Sequence, residues 1–340
     1  MSKSLLSVAQ RAVVASLALA ALVLNADSGL LASDLLATTD FAGVAATVQR
    51  YAEQYGPKHV LLVLDIDNTI MSMDSDLGSD HWFEWQDYLL KNEPNSPHLV
   101  ARTFPGLLEA QGILFDRGHM HPTEAGEPPL IAKLQKLGIA TVLLTSRGPE
   151  YRADTERELK RCGYDFARSA LPVHDVPKGE YLPYDPAKPE KSGLSPAEVA
   201  KYKLGPPRPV LYTHGVFMTA GQHKGIMLLT LLDKADRDIK AIVYVDDNVR
   251  HVGSVFSAAV QRNIEITSYQ YQHDDVRVQR FEYGDKTAVD QAWQTVKQSL
   301  HEVTAAKPQL SEAQLNGVRV PSRTWRPAKR RFQRPCCGCR

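Results

Sequence analysis

Cysteine is scarce in this chain of 340 residues: there are four, one at Cys162 and three crowded at Cys336, Cys337 and Cys339. A disulfide framework needs paired cysteines spread through the fold, so none is expected. A zinc site is argued against too, because Cys-Cys-Gly-Cys has no second ligand pair at usable spacing. Long apolar runs are also lacking. The stretch Ala12–Leu24 is thirteen residues, too short to span a bilayer as a helix, and no other segment approaches that role. A large excess of one charge is missing as well, with 40 basic and 39 acidic residues giving a net of +1. The asymmetry that exists is local: residues 319–340 hold eight basic residues and no acid, and taking those eight from +1 leaves −7 for the rest.

What remains is an ordinary globular composition, 43% hydrophobic and 23% charged, long enough for one large core or two modest ones. At the N-terminus, Lys3 and Arg11, the run Ala12–Leu24 and small residues near Ala26 form the three parts of a secretory signal. We therefore expect a signal peptide over residues 1–26, with Ala32 as an alternative cut, and an exported, periplasmic or envelope protein. The competing reading is an uncleaved amphipathic or core helix. Residues 305–340 have the composition of a disordered basic tail. Trp325 and Phe332 lie among its charges, a pattern that also suits contact with an anionic surface; no specific nucleic-acid partner is expected and no oligomeric state is implied.

Along the chain, apolar runs alternate with helical patterns. A surface helix over 40–56 leads into the first buried strand, within the run His59–Ile70. Helical patterning follows around 80–91 and 97–111, then a helix near 128–137 and a strand over 139–144. A charged helix over 150–162 precedes 171–209, whose Pro, Gly and Lys content predicts a long surface loop. A short strand near 210–213, a helix from about 221 to 235, a strand over 239–245, a helix over 249–261, a strand over 265–271 and a last helix over 288–303 complete the series. Alternation of this kind predicts an α/β fold: a doubly wound, Rossmann-like parallel sheet with helices on both faces.

The run His59-Val-Leu-Leu-Val-Leu-Asp-Ile-Asp-Asn-Thr-Ile70 reads as a fully buried strand ending in two acids. In a parallel sheet that end opens onto the crevice where ligands bind. Burying Asp65 and Asp67 side by side is costly unless a cation or a substrate stabilises them. Three further polar clusters occupy equivalent places: Thr145-Ser146-Arg147 and Asp246-Asp247 at strand ends, and Lys224 at a helix start. Carboxylates from two strands suit a hard, oxygen-seeking cation such as Mg²⁺. A hydroxyl with adjacent N–H groups suits phosphoryl oxygens, and a lysine supplies a compact positive charge. Each cluster taken singly is more simply a turn, a helix cap or a surface lysine; the ordered set is what carries weight.

This order and spacing resembles the haloacid dehalogenase superfamily, mostly phosphohydrolases, over about residues 55–270. Leu61-Leu-Val-Leu-Asp65-Ile-Asp67-Asn-Thr69 is similar to its first motif, Thr145 to the second, Lys224 to the third and Val245-Asp246-Asp247 to the fourth. The Asp-Ile-Asp-Asn-Thr wording and the large insert are similar to its exported acid phosphatases. The phrases Gly78-Ser-Asp-His-Trp82 and Gly221-Gln-His-Lys-Gly225 are similar to a bacterial subfamily of uncharacterised function. The resemblance implies a core over 40–70 and 128–304 with a mainly helical cap insert at 71–127. It implies a Mg²⁺-dependent phosphomonoesterase acting on a small-molecule phosphate ester. In that scheme Asp65 is the nucleophile, and Asp67 protonates the leaving group and then deprotonates water. Thr145 and Ser146 hold the phosphoryl group, and Lys224 offsets charge. Asp65, Asp67 through its backbone carbonyl, Asp246 and Asp247 surround the metal. Arg147, Trp82 and His223 are candidate substrate contacts, although helical spacing favours the core of the insert for Trp82. An acid at Asp67 favours phosphoester over carbon–halogen chemistry, because a halide needs no proton.

Two other classes compete. A receiver-type signalling domain also combines acids, Thr/Ser and Lys, but its phospho-accepting Asp lies between the early acid pair and the Thr. A non-catalytic binding or envelope protein on the same fold is the other.

Overall fold

A computed structural model describes residues 33–305; the expected signal segment and the basic tail beyond Ala305 lie outside the described residues. The chain divides into two units, residues 1–293 and 294–340, and the described part of the second is the end of the last helix. No described helix is long and apolar enough to cross a membrane.

Nine strands are described in the first unit, in two sheets. Seven make the main sheet: β1 (Asp34–Thr38), β2 (Val60–Leu64), β5 (Ala140–Thr145), β6 (Leu211–Thr213), β7 (Val216–Met218), β8 (Ala241–Asp246) and β9 (Glu265–Tyr271). The other two, β3 (Met71–Met73) and β4 (Met120–Pro122), form a separate antiparallel pair. The spatial order is β1-β9-β8-β2-β5-β7-β6, parallel throughout except for β6. Every residue of β2 is buried; Val60, Leu62 and Leu64 join one core cluster while Leu61 and Val63 join the other. A strand apolar on both faces belongs in the middle of a sheet covered on both sides, which is the doubly wound arrangement expected. Each such side chain contributes about 1.5–3 kcal/mol by leaving water, so the strand that bears the acid pair is firmly seated.

One face is covered by α1 (Phe41–Tyr55), α4 (Glu127–Lys136) and α5 (Arg152–Arg161), which contribute Val44, Ile131 and Leu159 to the first cluster. The other carries α7 (Lys224–Leu232) and α8 (Val249–Gln261), which contribute Ile226 and Val255 to the second. Helix starts follow local chemistry: the side chains of Asp40 and Asn248 accept from Ala42 N and Arg250 N at the first turns of α1 and α8. Chain order runs from β2 outward to β5 and β7, then returns to lay β8 and β9 on the opposite flank. The reversal falls between β2 and β8, the switch point where open α/β sheets bind ligands.

The insert between β2 and β5 opens with β3, continues through α2 (Asp80–Asn92) and α3 (Phe104–Arg117), and closes with β4 paired back onto β3. It belongs to the same compact unit as the sheet. The second helix starts later than expected, where the Thr103 side chain accepts from Gly106 N and Pro105 fills the first turn.

Three features depart from the sequence reading. Residues 171–209 are not simply a surface loop: Leu171, Tyr184 and Leu194 enter the second core cluster, Tyr181 bridges Val210, and a short helix, α6 (Pro196–Lys201), is held by a Ser195–Glu198 capping box. Leu211–Met218 is a hairpin rather than a single strand, turning at His214-Gly215 with φ of 50° and 79°; that pair of positive φ values is what a tight hairpin of this length requires. An edge strand, β1, precedes the expected elements, a further helix, α9 (Asp275–Tyr283), falls between the last strand and the last helix, and that last helix is α10 (Thr287–Ala305).

Candidate functional site

The site begins where β2 ends. Asp65 N donates to Val245 O across the strand pair at 2.9 Å, so Asp65 is still held by the ladder. Ile66 then turns into the core, and its carbonyl accepts from Thr69, Ile70 and Met71 N–H groups. Asn68 takes the left-handed conformation at φ 53°, which asparagine tolerates better than most residues. This tight turn leaves Asp65 and Asp67, two residues apart, at the carboxyl edge of the sheet.

β8 delivers the next acids to the same edge. Asp246 is fully buried; its Oδ1 accepts from Asn248 N at 2.8 Å, and its Oδ2 accepts from the Tyr244 hydroxyl. His251 Nδ1 lies 3.5 Å from the same oxygen. Asp247 N donates to Thr69 Oγ1 at 3.1 Å, and Asn68 Nδ2 donates to Asp247 Oδ2 at 3.2 Å, stitching the β8 end to the β2 turn. Asp65, Asp246 and Asp247 each offer an oxygen within 4.8 Å of the others.

Lys224, the first residue of α7, is 1% exposed, and its Nζ sits 2.6 Å from Asp65 Oδ1 and 2.7 Å from Asp246 Oδ2. Its place is set by the preceding loop: Thr219 N and Oγ1 both donate to Thr145 O, and Gly221 N donates to Ser146 O. The β5 end and the α7 start are thereby one pinned unit. Gly225 allows α7 to lie against α8, since a Cβ there would fall 2.3 Å from Ser254 O.

Electrostatics follow from burial. Burial pushes Asp65 up to about 6, against the pull of Lys224 and with the push of Asp246 and Asp67. Burial works against the charge on Asp246 too, but Lys224 and His251 outweigh it and hold that carboxyl below the usual range. Lys224 is desolvated yet held above its ordinary value by Asp246 and Asp65. Asp247 is pushed well up by burial and then by Asp246, Asp80 and Asp65.

The sequence-predicted residues fare unequally. Asp65, Lys224, Asp246 and Asp247 come together, with Thr145 emerging on the adjacent strand, where Leu64 lies opposite Leu143. Ser146 follows, half-buried. The Asp67 carboxylate stands outside the oxygen trio and pairs with Arg147, whose Nη2 and Nε donate to its two oxygens at 2.7 and 2.9 Å. Arg147 thus directs its charge to Asp67 rather than to the open crevice. Trp82 is fully buried and closed to a substrate; helical spacing put it in the core of the insert. His223 caps α7, its Nδ1 accepting from Ile226 N at 3.2 Å, with its ring 4.7 Å from that of Tyr202. Its work is local, and burial lowers its pKa.

Sequence reasoning missed Asp80 and Tyr244. Asp80 opens α2, and its carboxyl is pushed well above the usual range by burial and by Glu84, Asp67 and Asp65, so the insert adds an acid to the edge. The Gly78-Ser-Asp phrase was its only signal. Tyr244 looked like core, yet it lies two residues before Asp246 on the same strand face, the spacing that brings its hydroxyl to that carboxylate.

Five carboxylates at this edge (Asp65, Asp67, Asp80, Asp246 and Asp247) face two buried cations, Lys224 and Arg147. An all-oxygen donor set short of positive charge fits a hard divalent cation, with Asp65, Asp246 and Asp247 as the residues placed to hold one.

Fold and site together define a doubly wound α/β protein with a lysine-bridged carboxylate cluster at its switch point. Residues 37–306 match the model of a family described as a protein of unknown function, DUF2608, and the chain belongs to that family. Nothing among curated proteins matches it.

Proposed function

We propose that this protein is a Mg²⁺-dependent phosphohydrolase of the haloacid dehalogenase type, cleaving a small phosphomonoester through an aspartyl-phosphate on Asp65. The observation that carries the reading is Lys224: a buried ammonium bridging the carboxylates at the ends of β2 and β8. A carboxylate cannot approach a phosphate dianion unless cations offset the repulsion, and this lysine is positioned to do so. The motif order described above supports the same reading, and the N-terminal pattern supports export to the periplasm or envelope.

In this mechanism an Asp65 oxygen attacks phosphorus while Lys224 compensates the charge gathering on it. The Thr145 hydroxyl accepts from Arg147 N at 3.1 Å, which leaves its own hydrogen for a phosphoryl oxygen, with the Ser146 N–H as a second donor. Asp67 handles the protons of the leaving group and of the attacking water. A divalent cation bound by Asp65, Asp246 and Asp247 would add Lewis-acid neutralisation of the phosphoryl oxygens.

A panel of phosphomonoesters, assayed with Mg²⁺ and with EDTA, tests this. Turnover is expected only with the metal, and Asp65→Asn is expected to lose about 1,000-fold or more, as nucleophile removal does elsewhere. Metal-independent turnover, or full activity in Asp65→Asn, would refute it.

A further inference from the structure

The phrase Gly221-Gln-His-Lys-Gly225 does more than place Lys224. It continues a turn, closed by Gln222 N donating to Thr219 O, in which Ala220 and Gly221 both take left-handed φ values of 52° and 68°. Against this turn lies Arg208, near the end of the long segment 171–209. The Gln222 side chain clamps its backbone: Arg208 N donates to Gln222 Oε1 at 2.9 Å, and Gln222 Nε2 donates to Arg208 O at 3.0 Å. Pro207 and Pro209 flank the arginine, and a residue before proline is confined to extended backbone. Arg208 Nε donates to Ala220 O at 2.8 Å, and Nη2 comes within 3.7 Å of where a Cβ on Gly221 would stand. One nitrogen of this exposed guanidinium is thus anchored, while Nη1 and Nη2 make no hydrogen bond or ion pair among the described residues.

The same turn is fastened to the strand end that carries Thr145 and Ser146. Ala220 N donates to Arg147 O at 3.1 Å, and Gly221 N donates to Ser146 O at 2.8 Å. β6 runs antiparallel to its neighbour, so its start, just after Arg208, lies at the edge where the parallel strands end. Charge is therefore graded along that edge. Asp246, Asp247 and Asp65 stand at β8 and β2, and past β5 and β7 comes Arg208 at β6.

We infer that Arg208 is a substrate-binding residue that holds a second anionic group of the phosphate ester, a carboxylate or a further phosphate. The inference rests on the phosphohydrolase reading and narrows its substrate class. Arg147 is committed to Asp67 and cannot take this role. The Nη1 and Nη2 groups of Arg208 can: two donors in one plane match two oxygens of an oxyanion. With strands about 4.8 Å apart, a guanidinium over Gly221 stands roughly 5–10 Å from a phosphoryl group seated at Thr145 and Ser146. A short chain spans that gap. It would run over β5 and β7, away from Asp246 and Asp247.

Four phosphate esters built on one three-carbon chain test this with Mg²⁺: propyl phosphate, and the same ester ending in a carboxylate, a second phosphate or an ammonium. A charge-assisted pair is worth about 10-fold or more, so wild-type kcat/KM should favour one of the two anion-ended esters over propyl phosphate by at least that ratio. Which of the two gains more identifies the group. The gain should fall in KM, because a remote group is bound alike before and during the chemistry. Arg208→Gln should bring the ratio near unity, and Arg208→Lys should keep part of it. A merely structural Arg208 would slow all four esters alike and leave the ratio unchanged. A wild-type ratio below about 10-fold, an unchanged ratio in Arg208→Gln, or a preference for the ammonium-ended ester overturns the inference. Titration calorimetry with propane bisphosphonate, which cannot be hydrolysed, reads the site whether or not any ester is turned over. Binding about 10-fold tighter to the wild type than to Arg208→Gln upholds the anion site even if the phosphohydrolase reading fails, and equal or absent binding overturns it.

Discussion

Replacing Lys224 with methionine keeps most of the side-chain volume and removes the one buried ammonium between Asp65 and Asp246. The lysine side chain is wholly inaccessible, and its Nζ lies 2.6 and 2.7 Å from the two carboxylates. Removing one partner of a buried pair leaves uncompensated charge, a loss of about 3–5 kcal/mol. Lys224→Met should therefore be destabilised by about that amount in EDTA at pH 7. The size of the deficit depends on pH in a predictable direction. Asp65 already has a raised pKa of about 6 against its ordinary 3.8, and a raised acid weakens the fold above the unfolded value. That penalty is relieved as pH falls toward the unfolded value. Without Lys224 the stranded carboxyls rise further and take up protons at higher pH than in the wild type. Acidification from pH 7 to 5 should shorten the deficit by about 1–3 kcal/mol, at about 1.4 kcal/mol per unit for each extra proton bound. Urea midpoints of both proteins in EDTA at the two pH values measure this. Added Mg²⁺ should raise the midpoint of the variant more than that of the wild type, because a cation can replace the missing charge. A deficit below about 1 kcal/mol at pH 7, or one that widens on acidification, refutes the reasoning.

Two more perturbations probe the frame around the site. Glu158 is 2% exposed and accepts from Met120 N, Arg157, Arg161 and His119; burial alone would raise it, but these bonds outweigh burial and hold it at about 2. Its stabilisation is complete above the unfolded value of 4.5 and is lost as pH falls through about 2. Allowing for the partly exposed arginines, Glu158→Gln should lose about 2 kcal/mol at neutral pH and converge with the wild type on acidification, as thermal melts would show. Gly225→Ala should lose about 1–3 kcal/mol in urea, because the new methyl meets a backbone oxygen, and a loss under about 0.5 kcal/mol would show that α7 and α8 are not in close contact.

The sheet was legible wherever strands are buried on both faces. β2, β5 and β8 announce themselves as apolar runs, and the helix after β8 was read to the residue, although its cap is Asn248 rather than the Asp246-Asp247 pair. β1 was not legible: it is an edge strand of five residues, and Leu35 and Leu36 are 39% and 44% exposed, so no alternation with a buried face marks it. The hairpin at 211–218 was half-read because its turn uses His-Gly rather than Asn-Gly or Asp-Gly. Within the site, the acids were legible because a buried strand seldom ends in charge unless a partner ion or a ligand meets it there, whereas Lys224, alone more simply a surface lysine, was legible only through its place in the ordered set. The Arg147–Asp67 pair was not, since the choice between substrate and Asp67 is made by Phe115, Met120 and Thr155, which come from three different elements. His223 carries the same lesson: a histidine beside a functional lysine also stands at a helix start, and the cap won.

The placement of β2 between β5 and β8 has a consequence for how the chain is made. Leu61 and Val63 must wait for β8, about 180 residues later, before the second flank of β2 is paired. Until Ala241–Asp246 has been synthesised, this wholly apolar strand presents an open backbone edge, and Asp65 has no Asp246 with which to share Lys224. Closing so long a loop is slow, and an open apolar edge invites pairing with other chains. A polypeptide cut short before β8 should therefore aggregate rather than form a smaller sheet, which makes completion of the site and escape from aggregation the same late event in folding.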